Sequence, residues 1–174
     1  MDEKLFEKTA YHTTAKDRAE SILKNKFFYE STKTNEWLGS GIYFWDDIDD
    51  AKWWRSNVKG VPRDKTVMIE VYLKCKYSEY RDLNIKENMK EFESICEEVI
   101  NNKFFRLGTL SEVELRNFYC NYYKRKLGIK LLEYNFRRDK EFNKFGFKKD
   151  STQYCLGEKF QKEILEIKGV IENV

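Results

Sequence analysis

The passage that most limits what this chain can fold into is Leu38-Gly39-Ser40-Gly41-Ile42-Tyr43-Phe44-Trp45. Glycines on either side of one serine allow a tight backbone passage. The apolar and aromatic run after them reads as a buried strand. Asp46-Asp47-Ile48-Asp49-Asp50-Ala51-Lys52-Trp53-Trp54 comes next and reads as a helix start, because carboxylates complement the partial positive charge of a helix N-terminus. A strand therefore ends and a helix begins among aromatic faces, on which a flat ligand could stack. The alternative is that these rings simply fill a core.

The flanking sequence supplies the neighbours. Lys8 to Tyr11 is predicted as a strand leading into His12. Thr14 and Asp17 have the spacing of a capping box, opening a helix that buries Ala19, Ile22 and Leu23 and ends near Asn25. Phe27-Phe28-Tyr29 reads as a second strand, and Glu30 to Glu36 as a loop. The helix after Trp45 should run from Ile48 to Asn57, with a break at Gly60-Val61-Pro62. Thr66–Leu73 alternates as a strand does. Asn84–Asn101 then reads as a helix with Ile85, Met89, Phe92, Cys96 and Val99 on one face. Ser111 and Glu114 form a second capping box, opening a helix to about Lys126. Thr152–Leu156 and Glu163–Ile171 return to strand. Strands and helices in this order give an α+β fold in one domain of 174 residues, with a helical insertion at about 76–149.

Composition excludes more than it assigns. Thirty-three Lys and Arg against 30 Asp and Glu leave a net charge of +3, too small to indicate a partner. Cys75, Cys96, Cys120 and Cys155 are scattered, no CxxC occurs, and His12 is the single histidine, so no metal site is expected. Scattered cysteines behind no signal peptide read as reduced cytoplasmic thiols. No apolar run approaches the roughly 18 residues of a membrane span. Charge is uneven along the chain. Lys103 to Lys149 holds thirteen Lys and Arg against five Asp and Glu, with Phe118, Tyr122, Tyr134, Phe136 and other rings interleaved. Such a stretch could face a nucleic acid, or could be an ordinary helical core with a solvated rim.

Three separated pieces then align: Tyr11-His12-Thr13-Thr14, Gly39-Ser40-Gly41-Ile42-Tyr43-Phe44 and Thr152-Gln153-Tyr154. In order and residue type they resemble the His–Tyr–Glu class of ADP-ribosyltransferases, which includes diphtheria toxin and the poly(ADP-ribose) polymerases. The resemblance covers about residues 8–75 well and 150–171 loosely. It implies an ADP-ribosyltransferase-like split of two small antiparallel sheets with flanking helices. It also implies NAD as co-substrate. His12 would bond the adenosine ribose, and the backbone of Thr13, where the family has glycine, would hold the nicotinamide amide. Thr14 would lie by the ribose or cap the helix, and Gly41 would line the site. Tyr43 and Trp54 would stack on either side of nicotinamide, with Trp53 left to packing. Ala51 stands where the family has a serine that bonds the amide. Gln153 takes the place of the catalytic glutamate, with Glu158 or Glu163 as alternative carboxylates.

The resemblance implies a mono-ADP-ribosyltransferase that passes one ADP-ribose to a macromolecular acceptor, protein or nucleic acid. By analogy alone, it would be a toxin or a phage-defence or counter-defence enzyme. An NAD glycohydrolase is the enzymatic alternative. Gln153 and Ala51 also leave room for an inactive module that binds NAD or ADP-ribose.

Overall fold

The computed structural model describes residues 3–34, 36–56, 61–102, 108–142, 145 and 148–171, without the side chains of 138–142 and 148–149. Asn57, Gly60, Lys103, Phe104, Phe105, Arg106, Lys144 and Phe147 lie outside the described residues.

The first strand, β1 (Leu5–Ala15), runs through His12, Thr13 and Thr14 before the chain turns into α1 (Lys16–Asn25). The expected capping box at Thr14 does not form. The N-cap is Ala15, without a side-chain hydrogen bond, because β1 keeps Thr14 in register opposite Val67. Lys26 ends α1 in the left-handed conformation at φ 51°. Phe27–Tyr29 is not a strand either. Gln161 stands in for one, its amide accepting from Phe28 N–H at 2.7 Å and donating to Phe28 C=O at 3.0 Å. β2 (Ile42–Trp45) leads into α2 (Ile48–Arg55), whose N-cap Asp47 accepts from Asp49 N–H at 2.6 Å.

β3 (Thr66–Lys76) pairs with β1 along its whole length. The segment expected as a helical insertion supplies α3 (Lys86–Asn101) and α4 (Glu112–Leu127). It also supplies β4 (Tyr80–Asp82) and all of β5 (Leu131–Phe142), which join the sheet. The reading of that stretch as helical thus missed two strands, because aromatic residues among bases lack the clean alternation that marks a strand. The Ser111–Glu114 capping box does form. On α3 the expected Met89, Phe92 and Val99 do face the core, joined by Ile95, while Ile85, the N-cap, is exposed. β6 (Lys148–Leu156), the short helix α5 (Gln161–Ile164) and β7 (Leu165–Ile171) complete the chain as described.

The strands form one seven-stranded sheet in the order β4-β5-β6-β2-β1-β3-β7, antiparallel except for β4 with β5. The fold is therefore α+β, but the hydrogen bonds join one mixed sheet and not two small ones. The join is a single pair, Tyr11 opposite Trp45, between β1 and β2. The sheet also curls. Phe6 on β1 stacks on Tyr80 of β4 at 4.0 Å, although three strands separate them in the ladder. The main core lies inside this curl, where Ile42, Phe44, Tyr154 and Leu156 meet Phe6, Ala10, Ile69 and Leu73. A second core under α3 and α4 collects Ile95, Cys120, Tyr123, Leu132 and Cys155, with Tyr43 against it. A third joins Trp45, Ala51 and Met68 beneath α2.

Candidate functional site

Alternation sorts the residues singled out by sequence onto two faces. On one face lie His12 and Phe44. On the other lie Thr13, Tyr43, Trp45 and Gln153, the last directly opposite Trp45 in the β2–β6 ladder. His12 and Tyr43 nonetheless meet, through backbone. His12 Nδ1 lies 2.8 Å from the carbonyl oxygen of Tyr43. A carbonyl only accepts, so Nδ1 carries the proton and Nε2 presents a lone pair. Among the described residues Nε2 has no hydrogen-bond partner. The ring rests edge-on against Phe28 at 5.1 Å and tilted against Phe44 at 5.8 Å. Burial among these rings, and secondarily the Arg18 charge, holds the imidazole below its ordinary pKa and keeps it neutral.

The position of this bond gives it meaning. β1 and β2 are laddered only at Tyr11 and Trp45. Beyond that pair the strands part, and the His12 imidazole reaches across where a backbone bond would have been. The edge of β1 facing β2 is left unladdered beside Thr13 and Thr14. The Thr13 hydroxyl points the other way and donates to Ala51 C=O at 2.9 Å, which ties α2 to β1. Thr14 is buried without a side-chain bond to the helix.

Tyr43 is held by its hydroxyl, which donates to Gly39 C=O at 2.6 Å and accepts from Leu38 N–H at 2.9 Å. Burial raises its pKa well above a phenol's usual range, so it stays protonated. Gly39 has φ +84°, a conformation that favours glycine. Gly41 is required for a different reason. A β-carbon there would stand 2.5 Å from Cys155 Sγ and 2.8 Å from Leu156 C=O. Its own N–H and C=O pair with Ser31, so the backbone of Gly41 is already engaged.

Trp54 is partly exposed and lies 5.7 Å from Trp45 and 6.2 Å from Trp53. Tyr43 packs instead against the second core, so the structure records no ring contact between Trp54 and Tyr43. Trp53 packs into the third core. Gln153 is half-buried. The alternative carboxylates are occupied elsewhere. Glu163 pairs with Lys130 at 2.6 Å, and Glu158 accepts from Glu30 N–H at 3.3 Å.

One polar group escaped the sequence reading. Glu133 on β5 accepts from the Tyr80 hydroxyl at 2.5 Å, and Asp46 accepts from Tyr154 at 2.8 Å and pairs with Lys8 at 2.6 Å. Burial pushes Glu133 up to about 7, against the pull of the Tyr80 bond. These residues come from five segments, and no local spacing links them. Among the described residues no group of three or more His, Cys, Asp or Glu could hold a metal ion. No helix there is long and apolar enough to cross a membrane.

No family model matches the chain. Over 105 residues, 59% of this chain and 49% of the other, it is 30% identical to an uncharacterized protein of Methanocaldococcus jannaschii. The chain thus spans about half the length of the curated relative it matches.

Proposed function

We propose that this protein is a mono-ADP-ribosyltransferase of the His–Tyr–Glu type, cleaving NAD and transferring one ADP-ribose to a macromolecular acceptor. One observation carries the reading: strands β1 and β2 part just where His12 bonds the Tyr43 carbonyl through Nδ1, which leaves Nε2 as the ring's acceptor atom. The curled sheet, nearly divided at that pair, supports an ADP-ribosyltransferase-like split in which the gap between half-sheets takes the dinucleotide.

In that gap the His12 Nε2 lone pair accepts from a ribose hydroxyl. The unladdered backbone near Thr13 is available to the nicotinamide amide, and Tyr43 and Trp54 offer ring faces. The bond between nicotinamide and ribose breaks with its electron pair leaving on nicotinamide, and the sugar takes oxocarbenium character. Gln153 can bond a ribose hydroxyl but adds no negative charge. It also cannot take the acceptor's proton when the acceptor attacks the anomeric carbon. That proton goes to solvent or to a second, basic group of the acceptor, and the departure from glutamate favours transfer of a single unit.

NAD labelled on its adenylate tests the reading. Label appearing on protein or nucleic acid supports transfer, free ADP-ribose supports glycohydrolase activity, and NAD bound but intact supports an inactive binding module. No binding of NAD at all would overturn all three. Gln153 and Ala51 support the inactive module, and the alternative carboxylates Glu158 and Glu163 are tied up elsewhere.

A further inference from the structure

Helix α4 buries polar residues where a packing helix should bury apolar ones. Asn117, Asn121 and Lys124, spaced i, i+4 and i+7, lie on one face. That face is turned toward the loop from Lys33 to Gly41. Asn117 Nδ2 donates to Lys33 C=O and to Glu36 C=O, both at 3.1 Å. Asn121 Oδ1 accepts from Ser40 N–H at 2.8 Å, and its Nδ2 donates to Asn117 Oδ1 at 3.0 Å. Lys124 is only 8% exposed, and its Nζ donates to Ser40 C=O at 2.8 Å and lies 3.4 Å from Cys155 Sγ. A buried ammonium whose bonds run to a carbonyl and a thiol is costly to maintain. Plain packing would be served better by leucine.

What this loop controls is visible at its far end. Gly39 C=O and Leu38 N–H, between the residues that α4 grips, are the two partners of the Tyr43 hydroxyl. Asn121 also sits so close to Gly39 that a β-carbon there would meet its Oδ1 at 2.4 Å. The row on α4 and the ring on β2 are therefore joined through three consecutive loop residues.

We infer that Asn117, Asn121 and Lys124 are positioning residues that set the Tyr43 ring through the Leu38–Ser40 backbone. On the reading of Tyr43 as a nicotinamide-facing ring, they tune NAD affinity from outside the site. The resemblance that suggested the site has no counterpart for α4, so this control belongs to this chain's own insertion.

Amide hydrogen exchange and steady-state kinetics on the full chain test it together. Asn121→Ala removes the acceptor for Ser40 N–H. Exchange should accelerate at Ser40 and at Leu38, whose partner is Tyr43, while Ile69 in the core keeps the parental rate. KM for NAD should rise about tenfold with kcat within about twofold, the pattern of lost ground-state binding. Asn121→Asp keeps an acceptor oxygen and should restore both. Lys124→Met, similar in length but without donors, should repeat the Asn121→Ala pattern if alanine there prevents folding. Parental exchange at Leu38 in both variants, or acceleration spread evenly over all amides, overturns the inference. A parent protein that binds no NAD overturns the functional reading instead, and Leu38 exchange then decides the positioning role alone.

Discussion

Removing the His12 imidazole takes away two things at once: the tie across the parted strands and the Nε2 lone pair. His12→Ala should lower kcat/KM for NAD by at least about tenfold, about the value of one well-made hydrogen bond, in protein that still folds. Full activity in that variant would sink the assignment. Because burial lowers the imidazole pKa, the neutral form is favoured in the folded state. Its contribution to stability is present above the ordinary imidazole range and is lost as pH falls below it. Glu133 runs the other way. Its folded-state pKa is raised to about 7 from 4.5, so the folded protein binds the proton more tightly than the unfolded chain. Stability from this group is full below about pH 4.5 and declines as pH rises toward about 7. Glu133→Gln keeps an acceptor for Tyr80 and should raise Tm at about pH 8 while leaving it unchanged at about pH 4. Thermal melts at the two pH values check this. At Gln153, Ala should abolish transfer while NAD still binds, and Glu should keep or raise it. Labelled-NAD assays decide, and equal activity of Gln153→Ala and parent would move the role to another residue.

Among the elements, those with a strong local pattern were legible in the sequence. α2 could be placed from its acidic start, α4 from Ser111 and Glu114, and β3 from its alternation. The failures share a cause, which is that a distant partner overrode a local cue. Thr14 reads as a cap, but pairing with β3 carries β1 past it. Phe27–Tyr29 reads as a strand, but a side-chain amide takes the place of a neighbouring strand. β5 was hidden because rings and bases interleave along it without clean alternation, and its partner β4 lies far upstream. At the site, sequence could bring His12, Tyr43 and Gln153 to neighbouring strands, yet not tell that His12 would meet Tyr43 through a carbonyl. The Asn117–Asn121–Lys124 stripe was readable as helical spacing, and its inward orientation was not. Gln161→Leu tests the amide at element scale. It leaves the buried N–H and C=O of Phe28 without partners, which should cost about 2–4 kcal/mol in a denaturant titration. A loss below about 1 kcal/mol would mean that water or backbone replaces it.

At the scale of the whole molecule, several described cations of the basic run already have partners. Lys124 is buried beneath Ser40, Lys126 pairs with Glu98, and Lys130 is shared by Glu79 and Glu163. Arg116 lies over the Trp37 ring at 4.2 Å, and Arg137 is 3.7 Å from Asp150. Phosphate contacts require cations free to release counter-ions. If a protein is the acceptor, affinity for single-stranded RNA should fall only shallowly with salt. A steep slope that Arg125→Glu with Arg137→Glu flattens would restore the nucleic-acid reading.

Phe28 also ties the molecule's assembly to its order of synthesis. The bond between Phe28 and Gln161 spans 133 positions, and β2 finds its β6 partner more than a hundred residues downstream. A chain leaving the ribosome makes β1, α1 and β2 early but cannot satisfy them. The Phe28 backbone and the open side of β2 must wait until residue 161 has emerged. The His12 ring, which leans on Phe28, is seated no sooner. Nascent molecules would thus carry His12 and Tyr43 for more than a hundred residues of synthesis before the strand and the amide that seat them exist.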